Sequence, residues 1–151
     1  MEKIIEAAGP EFDRRTALQE LRVLARSAPV VVLSFVDCPW CLAAKTLLLD
    51  ELEVPLEAVR VVELEQLGRG GKSLRAAAAL ATGRTSMPNV FVGGRSVGGF
   101  TDGFTKGERL GEPSLCMMDA PGLQPLHETG KLEGMLRKAE QKQQMLETHL
   151  F

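Results

Sequence analysis

A valine-rich apolar run, Val30 to Val36, leads into Cys38-Pro39-Trp40-Cys41 and then into leucines and alanines from Leu42 to Leu52. The run suits a strand buried on both faces. Pro39 falls in the first turn of the helix that follows, where its missing N–H breaks no bond. A strand feeding straight into a helix is half of a right-handed strand–helix–strand unit, so this junction confines the chain to α/β architectures. It also sets two cysteines at a helix N-terminus, where N–H groups are unpaired and carry partial positive charge. Cysteines placed so have pKa values lowered from about 8.5 to about 3.5–7.5. The thiolate is the species that attacks disulfides, through a mixed disulfide. Cys38 is therefore the expected nucleophile, and Cys41, one helical turn on, is placed to resolve the mixed disulfide from within the molecule.

The rest of the chain extends that unit. Leu18, Leu21, Leu24 and Ala25 predict a helix over 16–26, with Thr16 and Gln19 resembling a capping box. Ala58 to Leu64 reads as a strand, Gly68-Arg69-Gly70-Gly71 as a loop, and Lys72 to Thr82 as an alanine-rich helix ended by Gly83. Asn89–Val92 and Ser96–Val97 flank Gly93-Gly94, a hairpin signal. Leu132 to Glu147 is a last helix. Gly103 to Gln124, rich in glycine and proline and including Gly107 and Gly111, reads as a long loop insertion. The expected fold is three-layer α/β/α, with a mixed sheet of about four strands, an extra N-terminal helix and that insertion near 103–124. Residues 1–15 form an N-terminal extension, 16–140 the domain, and 141–151 a charged helical end.

Composition narrows the function classes. The 151 residues fit one domain, 44% are hydrophobic and 25% charged. A net charge of −2 argues against nucleic acid. No apolar stretch is long enough for a bilayer, so no membrane association is expected. Three cysteines, two of them close together in the motif, fit a reducing compartment better than a secreted disulfide scaffold. With no signal or transit segment visible, a cytoplasmic location is expected. A zinc site competes for Cys38 and Cys41, but it needs four ligands. Only Cys116, His127 and His149 are added, none at a ligand spacing, so no metal is expected. Cys116 itself reads as incidental. Gly68 to Ser73 invites a phosphate-loop reading, but the pattern needs Gly where Gln66 stands.

Two further segments bear on chemistry. In Ser86-Met87-Pro88-Asn89-Val90, a proline opening a strand is a candidate cis bond, which frees the backbone of Met87 for an extended ligand. In Gly98-Gly99-Phe100-Thr101-Asp102 the glycines permit a tight turn, and Thr101 and Asp102 offer acceptors for an ammonium group.

Together, and in this order, these segments resemble the glutaredoxin family of the thioredoxin-like fold over about Ala17 to Lys138. Cys-Pro-Trp-Cys is similar to the family's Cys-Pro-Tyr-Cys. Residues 86–94 are similar to its Thr-Val-Pro-Asn-Val-Phe-Ile-Gly-Gly, and residues 98–102 to its Gly-Gly-Cys-Asp-Asp. Leu126-His127-Glu128-Thr129-Gly130-Lys131-Leu132 matches the start of its last helix. The resemblance implies a glutathione site. Cys38 would form the mixed disulfide, and the Met87 backbone, between Ser86 and Pro88, would pair with the glutathione cysteine unit. Thr101 and Asp102 would take the γ-glutamyl end, Arg75 the glycine carboxylate, and Gly99 would also belong to the glutathione site. Trp40 would replace the tyrosine that shields the groove. Implied partners are glutathione as cosubstrate and disulfide-bearing or glutathionylated proteins, with the chain a monomer.

Two positions depart from the family. Phe35 stands where a lysine is usual, and Asp37 precedes Cys38 where a neutral residue is usual. Both predict a weaker or slower enzyme, and Phe35→Lys is expected to improve glutathione affinity. Two other functions compete with glutathione-dependent reduction. One is a [2Fe–2S] carrier, with the cluster held between two subunits by Cys38 and glutathione, which Pro39 disfavours. The other is a thioredoxin-like adaptor whose partner binding would survive Cys38→Ser.

Overall fold

The computed structural model describes residues 1–104 and 112–149. Four strands form one sheet, β1 (Val30–Ser34), β2 (Val59–Glu63), β3 (Asn89–Val92) and β4 (Arg95–Gly98), in the order β2-β1-β3-β4. β1 pairs in parallel with β2, and antiparallel with β3, which pairs antiparallel with β4. The expected mixed sheet is present.

Among the described residues six α-helices accompany it: α1 (Glu2–Ala7), α2 (Arg14–Ala25), α3 (Pro39–Thr46), α4 (Arg69–Thr82), α5 (Leu123–Glu128) and α6 (Leu132–His149). The alternation of β1 assigns the layers. Val30 and Val32 face α3, the turn that continues it, α5 and α6 through Ala44, Leu48, Leu123, Leu126 and Leu132. Val31 and Leu33 face α2 and α4 through Leu21, Ala25, Ala77 and Ala81. All five β1 residues are buried, as a strand covered on both sides must be. Fully burying a valine or leucine side chain contributes about 1.5–3 kcal/mol, so this central strand is the firmest support the motif after it has.

Several boundaries differ from the sequence expectations. Helix α2 begins two residues early because Asp13, not Thr16, is its N-cap; the Asp13 carboxylate accepts the Thr16 N–H (3.2 Å) and its hydroxyl proton. Helix α4 starts at Arg69, so Gly70 and Gly71 are helical rather than a loop. Gly71 is required by close approach: a Cβ there would stand 2.0 Å from the Leu64 carbonyl oxygen. After Thr46 the helix widens, and the Leu52 N–H reaches the Leu47 carbonyl five residues back (2.9 Å). Residues 1–15 include a helix, α1, which packs on α4.

The long insertion is only partly a loop. The Ser96 N–H donates to the Leu115 carbonyl and the Met117 N–H to the Ser96 carbonyl, both at 2.8 Å, forming a parallel bridge between Ser96 and Cys116 on the outer edge of β4. Leu115 is buried on the α2–α4 face, and Ala120 and Leu123 on the other, so the segment wraps that edge. Its residues 105–111, with Gly107 and Gly111, lie outside the described residues, as do 150 and 151 of the C-terminal end. Among the described residues no helix is long and apolar enough to cross a membrane.

Candidate active site

The β1–α3 junction holds both cysteines as free thiols. Cys38 is the N-cap of α3, and its sulfur accepts the Cys41 N–H at 3.2 Å. The loop before it is tied down twice. The Cys38 N–H donates to the Phe35 carbonyl (3.3 Å), and the Val36 N–H donates to the Glu65 carboxylate (3.0 Å). Cys38 is half-buried, whereas Cys41 is fully buried and its sulfur accepts the Phe35 N–H (3.5 Å). Burial first, and then the bond with Cys38, push the Cys41 thiol up to about 11. Cys41 is therefore held as a protonated thiol beside a more accessible sulfur. That division suits an outer nucleophile and an inner resolving group.

The Met87–Pro88 peptide bond is cis, as expected for a proline opening β3. The Cys38 thiol lies 3.7 Å from the Met87 carbonyl oxygen, its acceptor. Beside them runs a groove of about 290 Å³ lined by Trp40, Arg84, Ser86, Met87, Pro88, Phe100, Thr101 and Asp102. Six of these residues were expected at the site from sequence, and the fold brings them together from three separate segments. Trp40 is exposed and its ring tilts against Phe100 at 6.2 Å, closing one wall. Gly99 lies behind the lining, against Arg84.

Arg75 is placed differently. It does not line the groove but stands behind Thr85, donating from Nε and Nη2 to the Thr85 carbonyl (3.2 and 3.1 Å). Its guanidinium sits 5.1 Å over the Phe35 ring. The residue that replaces a lysine thus carries a cation instead of being one. Asp37 is exposed.

Arg84 and Phe100 were not anticipated as site residues. Phe100 sits inside the Gly98–Asp102 segment, so its place beside the acceptors was a usable signal. Arg84 offered none: it lies between a helix C-cap and the Ser-Met-Pro segment, and only the fold turns it toward Asp102. Its Nη1 and Nη2 donate to the two Asp102 carboxylate oxygens at 3.0 and 3.1 Å, and its Nε to the Pro88 carbonyl at 3.1 Å. The guanidinium holds the Asp102 carboxyl below its usual range.

Behind the groove lies a buried polar network. Asn89 Nδ2 donates to Thr82 Oγ1 (3.2 Å), Ser96 Oγ donates to Asn89 Oδ1 (2.5 Å), and the Gly98 N–H donates to Ser96 Oγ (3.1 Å). It joins the end of α4, the start of β3 and the end of β4, the three places from which Arg84, Pro88 and Asp102 project. The other thiol and imidazole candidates are elsewhere. Cys116 is buried at the β4 bridge, and burial raises its pKa. His127 Nδ1 is 2.8 Å from Glu133 Oε1. Among the described residues no three His, Cys, Asp or Glu side chains gather as metal ligands.

Comparison with known proteins agrees with this geometry. The Glutaredoxin family profile matches residues 30–97. Glutaredoxin-C5, chloroplastic, of Arabidopsis thaliana is 36% identical over 104 residues, 69% of this chain, and the chain spans 57% of that relative's length. A glutaredoxin of Ricinus communis is 39% identical over 83 residues, covering 55% of this chain and 76% of the relative. Among solved structures, the buckwheat glutaredoxin–glutathione complex superposes with a TM-score of 0.64 at 30% identity, over 87% of this chain and 96% of that one. With its two thiols on the β1–α3 junction of a thioredoxin-like sheet, the chain belongs to the glutaredoxin family of thiol–disulfide oxidoreductases.

Proposed function

We propose that the chain reduces glutathione mixed disulfides and protein disulfides, with glutathione as cosubstrate. The observation that carries this reading is the position of the Cys38 sulfur. It is half-exposed at the α3 N-terminus, within reach of the carbonyl of Met87, which itself lines a groove that also holds Thr101 and Asp102 as polar acceptors. A glutathionylated substrate would be attacked by the Cys38 thiolate at the glutathione sulfur. The protein thiolate leaves, and Cys38 remains joined to glutathione. A second glutathione thiolate then attacks that disulfide, giving glutathione disulfide and free Cys38. For a protein disulfide, Cys41 resolves the intermediate once its proton is lost, closing the Cys38–Cys41 disulfide. The bound glutathione in the buckwheat complex supports the choice of thiol.

The test is glutathione-coupled reduction of a glutathione–peptide mixed disulfide. Cys38→Ser should fall to the uncatalysed rate, a loss of about 10³-fold or more, as for removal of a covalent nucleophile. Cys41→Ser should keep most activity on this substrate and lose it on a protein disulfide. Full activity in Cys38→Ser would overturn the mechanism. Equal rates with glutathione and with an unrelated monothiol would overturn the glutathione assignment.

A further inference from the structure

The groove's far end carries two charges of opposite sign. Among its lining residues, Trp40, Ser86, Met87, Pro88, Phe100 and Thr101 are uncharged at neutral pH, and only Arg84 and Asp102 are ionic. The two differ sharply in exposure. The Arg84 side chain is 10% exposed and the Asp102 side chain 68%. Arg84 is the fixed member of the pair: its backbone N–H donates to Thr82 Oγ1 (3.2 Å) in the buried network, and its Nε is bound to the Pro88 carbonyl. The chain also leaves space for it. A Cβ on Gly99 would stand 2.0 Å from Arg84 Nη2 and 2.8 Å from Asp102 Oδ1. The second glycine of the Gly98-Gly99 turn is therefore what admits the guanidinium beneath Asp102.

A lone carboxylate would select a cation. A forked guanidinium–carboxylate pair shows both signs side by side and suits a group that also carries both. Each terminal nitrogen of Arg84 has a second N–H beyond the one given to Asp102, and each Asp102 oxygen keeps an outer lone pair. Resting on the glutathione reading above, we propose that Arg84 is a specificity-determining residue. The Arg84–Asp102 pair selects the zwitterionic α-amino acid end of a γ-glutamyl thiol, Asp102 receiving its ammonium and Arg84 donating to its carboxylate.

The experiment compares two mixed disulfides of one peptide, with glutathione and with 4-aminobutyryl-cysteinyl-glycine, which lacks only the γ-glutamyl carboxylate. Steady-state kinetics are measured for wild type, Arg84→Gln and Arg84→Lys, each first checked for folding by thermal unfolding. The wild type should prefer the glutathione substrate about 10–100-fold in kcat/KM, the range of one charge-assisted bond pair. Arg84→Gln should lose more kcat/KM on the glutathione substrate than on the truncated one, chiefly through KM, so that the ratio between them falls toward one, and Arg84→Lys should restore part of that ratio. A uniform loss on both substrates would mean that Arg84 only props the groove, and would overturn the proposal. So would a wild type without the preference. Should Arg84→Gln not fold, Gly99→Ala displaces the guanidinium while keeping both ionic residues, and must weaken the same preference. If the wild type turns over neither substrate, the glutathione reading itself has failed; a uniform loss in an active enzyme condemns the role of Arg84 alone.

Discussion

Two guanidiniums hold the backbone between Thr85 and Pro88, and they are set up in opposite ways. Arg75, on α4, binds the Thr85 carbonyl and rests on the Phe35 ring; among the described residues it has no carboxylate partner. Arg84, just beyond α4, binds the Pro88 carbonyl and both oxygens of Asp102. The first leaves a positive charge poised on an aromatic face. The second leaves an ion pair with no net charge. A tripeptide with a plain carboxylate at one end and a zwitterion at the other has ends that differ in the same way, and we propose that glutathione binds with its glycine toward Arg75 and its γ-glutamyl end toward Asp102.

The comparison breaks most visibly in stability. Asp102→Ala leaves a nearly buried guanidinium without its carboxylate. It should lower unfolding free energy by about 1–3 kcal/mol in urea titration, a discounted value because Asp102 itself is exposed. Phe35→Leu, which strips Arg75 of its aromatic support, should cost about 1 kcal/mol or less. Equal losses would mean that the two sites are not built differently.

Binding sharpens the contrast. Arg75→Ala should raise KM for a glutathione mixed disulfide about 10-fold, and should leave KM for the γ-glutamylcysteine analogue unchanged, since that analogue lacks the glycine carboxylate. A smaller effect, about 3-fold, is expected from Phe35→Lys, measured as glutathione KM, and its direction is loss. Residue analogy alone predicts improvement. The ring under Arg75 reverses that expectation, because a lysine there removes the cation–π support and sets a like charge beside the guanidinium.

Least visible near neutrality is the titration of Cys41. Its folded pKa, about 11, lies above the ordinary 9.0, so the folded chain holds this proton more tightly. The resulting stability is complete below pH 9 and is lost as pH rises toward 11. Thermal unfolding followed by circular dichroism should show the wild type losing more stability over that window than Cys41→Ala. Parallel curves would show that Cys41 burial does not set its acidity.

Legibility from sequence tracked how local each feature is. The strand–helix junction, the cysteine pair, the Gly83 C-cap and the Gly93-Gly94 turn all depend on neighbours within a few residues, and all are found. The start of α2 differs by two residues, since Asp13 and Thr16 are both good caps and the Asp13 carboxylate is the one that accepts a first-turn N–H, that of Thr16. Gly70 and Gly71 were misread because glycine favours loops on its own, whereas here closeness to Leu64 selects it inside a helix. The 103–124 segment reads as a long loop because the partner of its bridge at Cys116, Ser96, lies across the edge of the sheet.

The sequence by itself therefore determined the reaction class: the motif, its helix and the apolar strand before it are contiguous, and local physics orders them. Only the tertiary structure decided how charge is distributed around that motif. Arg84 meets Asp102 across eighteen residues, and Arg75 finds Phe35 across the α4–β1 packing, because the buried Thr82–Asn89–Ser96 network and the two-sided core bring those segments together. Interactions between distant side chains arise from packing, and no run of neighbouring residues contains them.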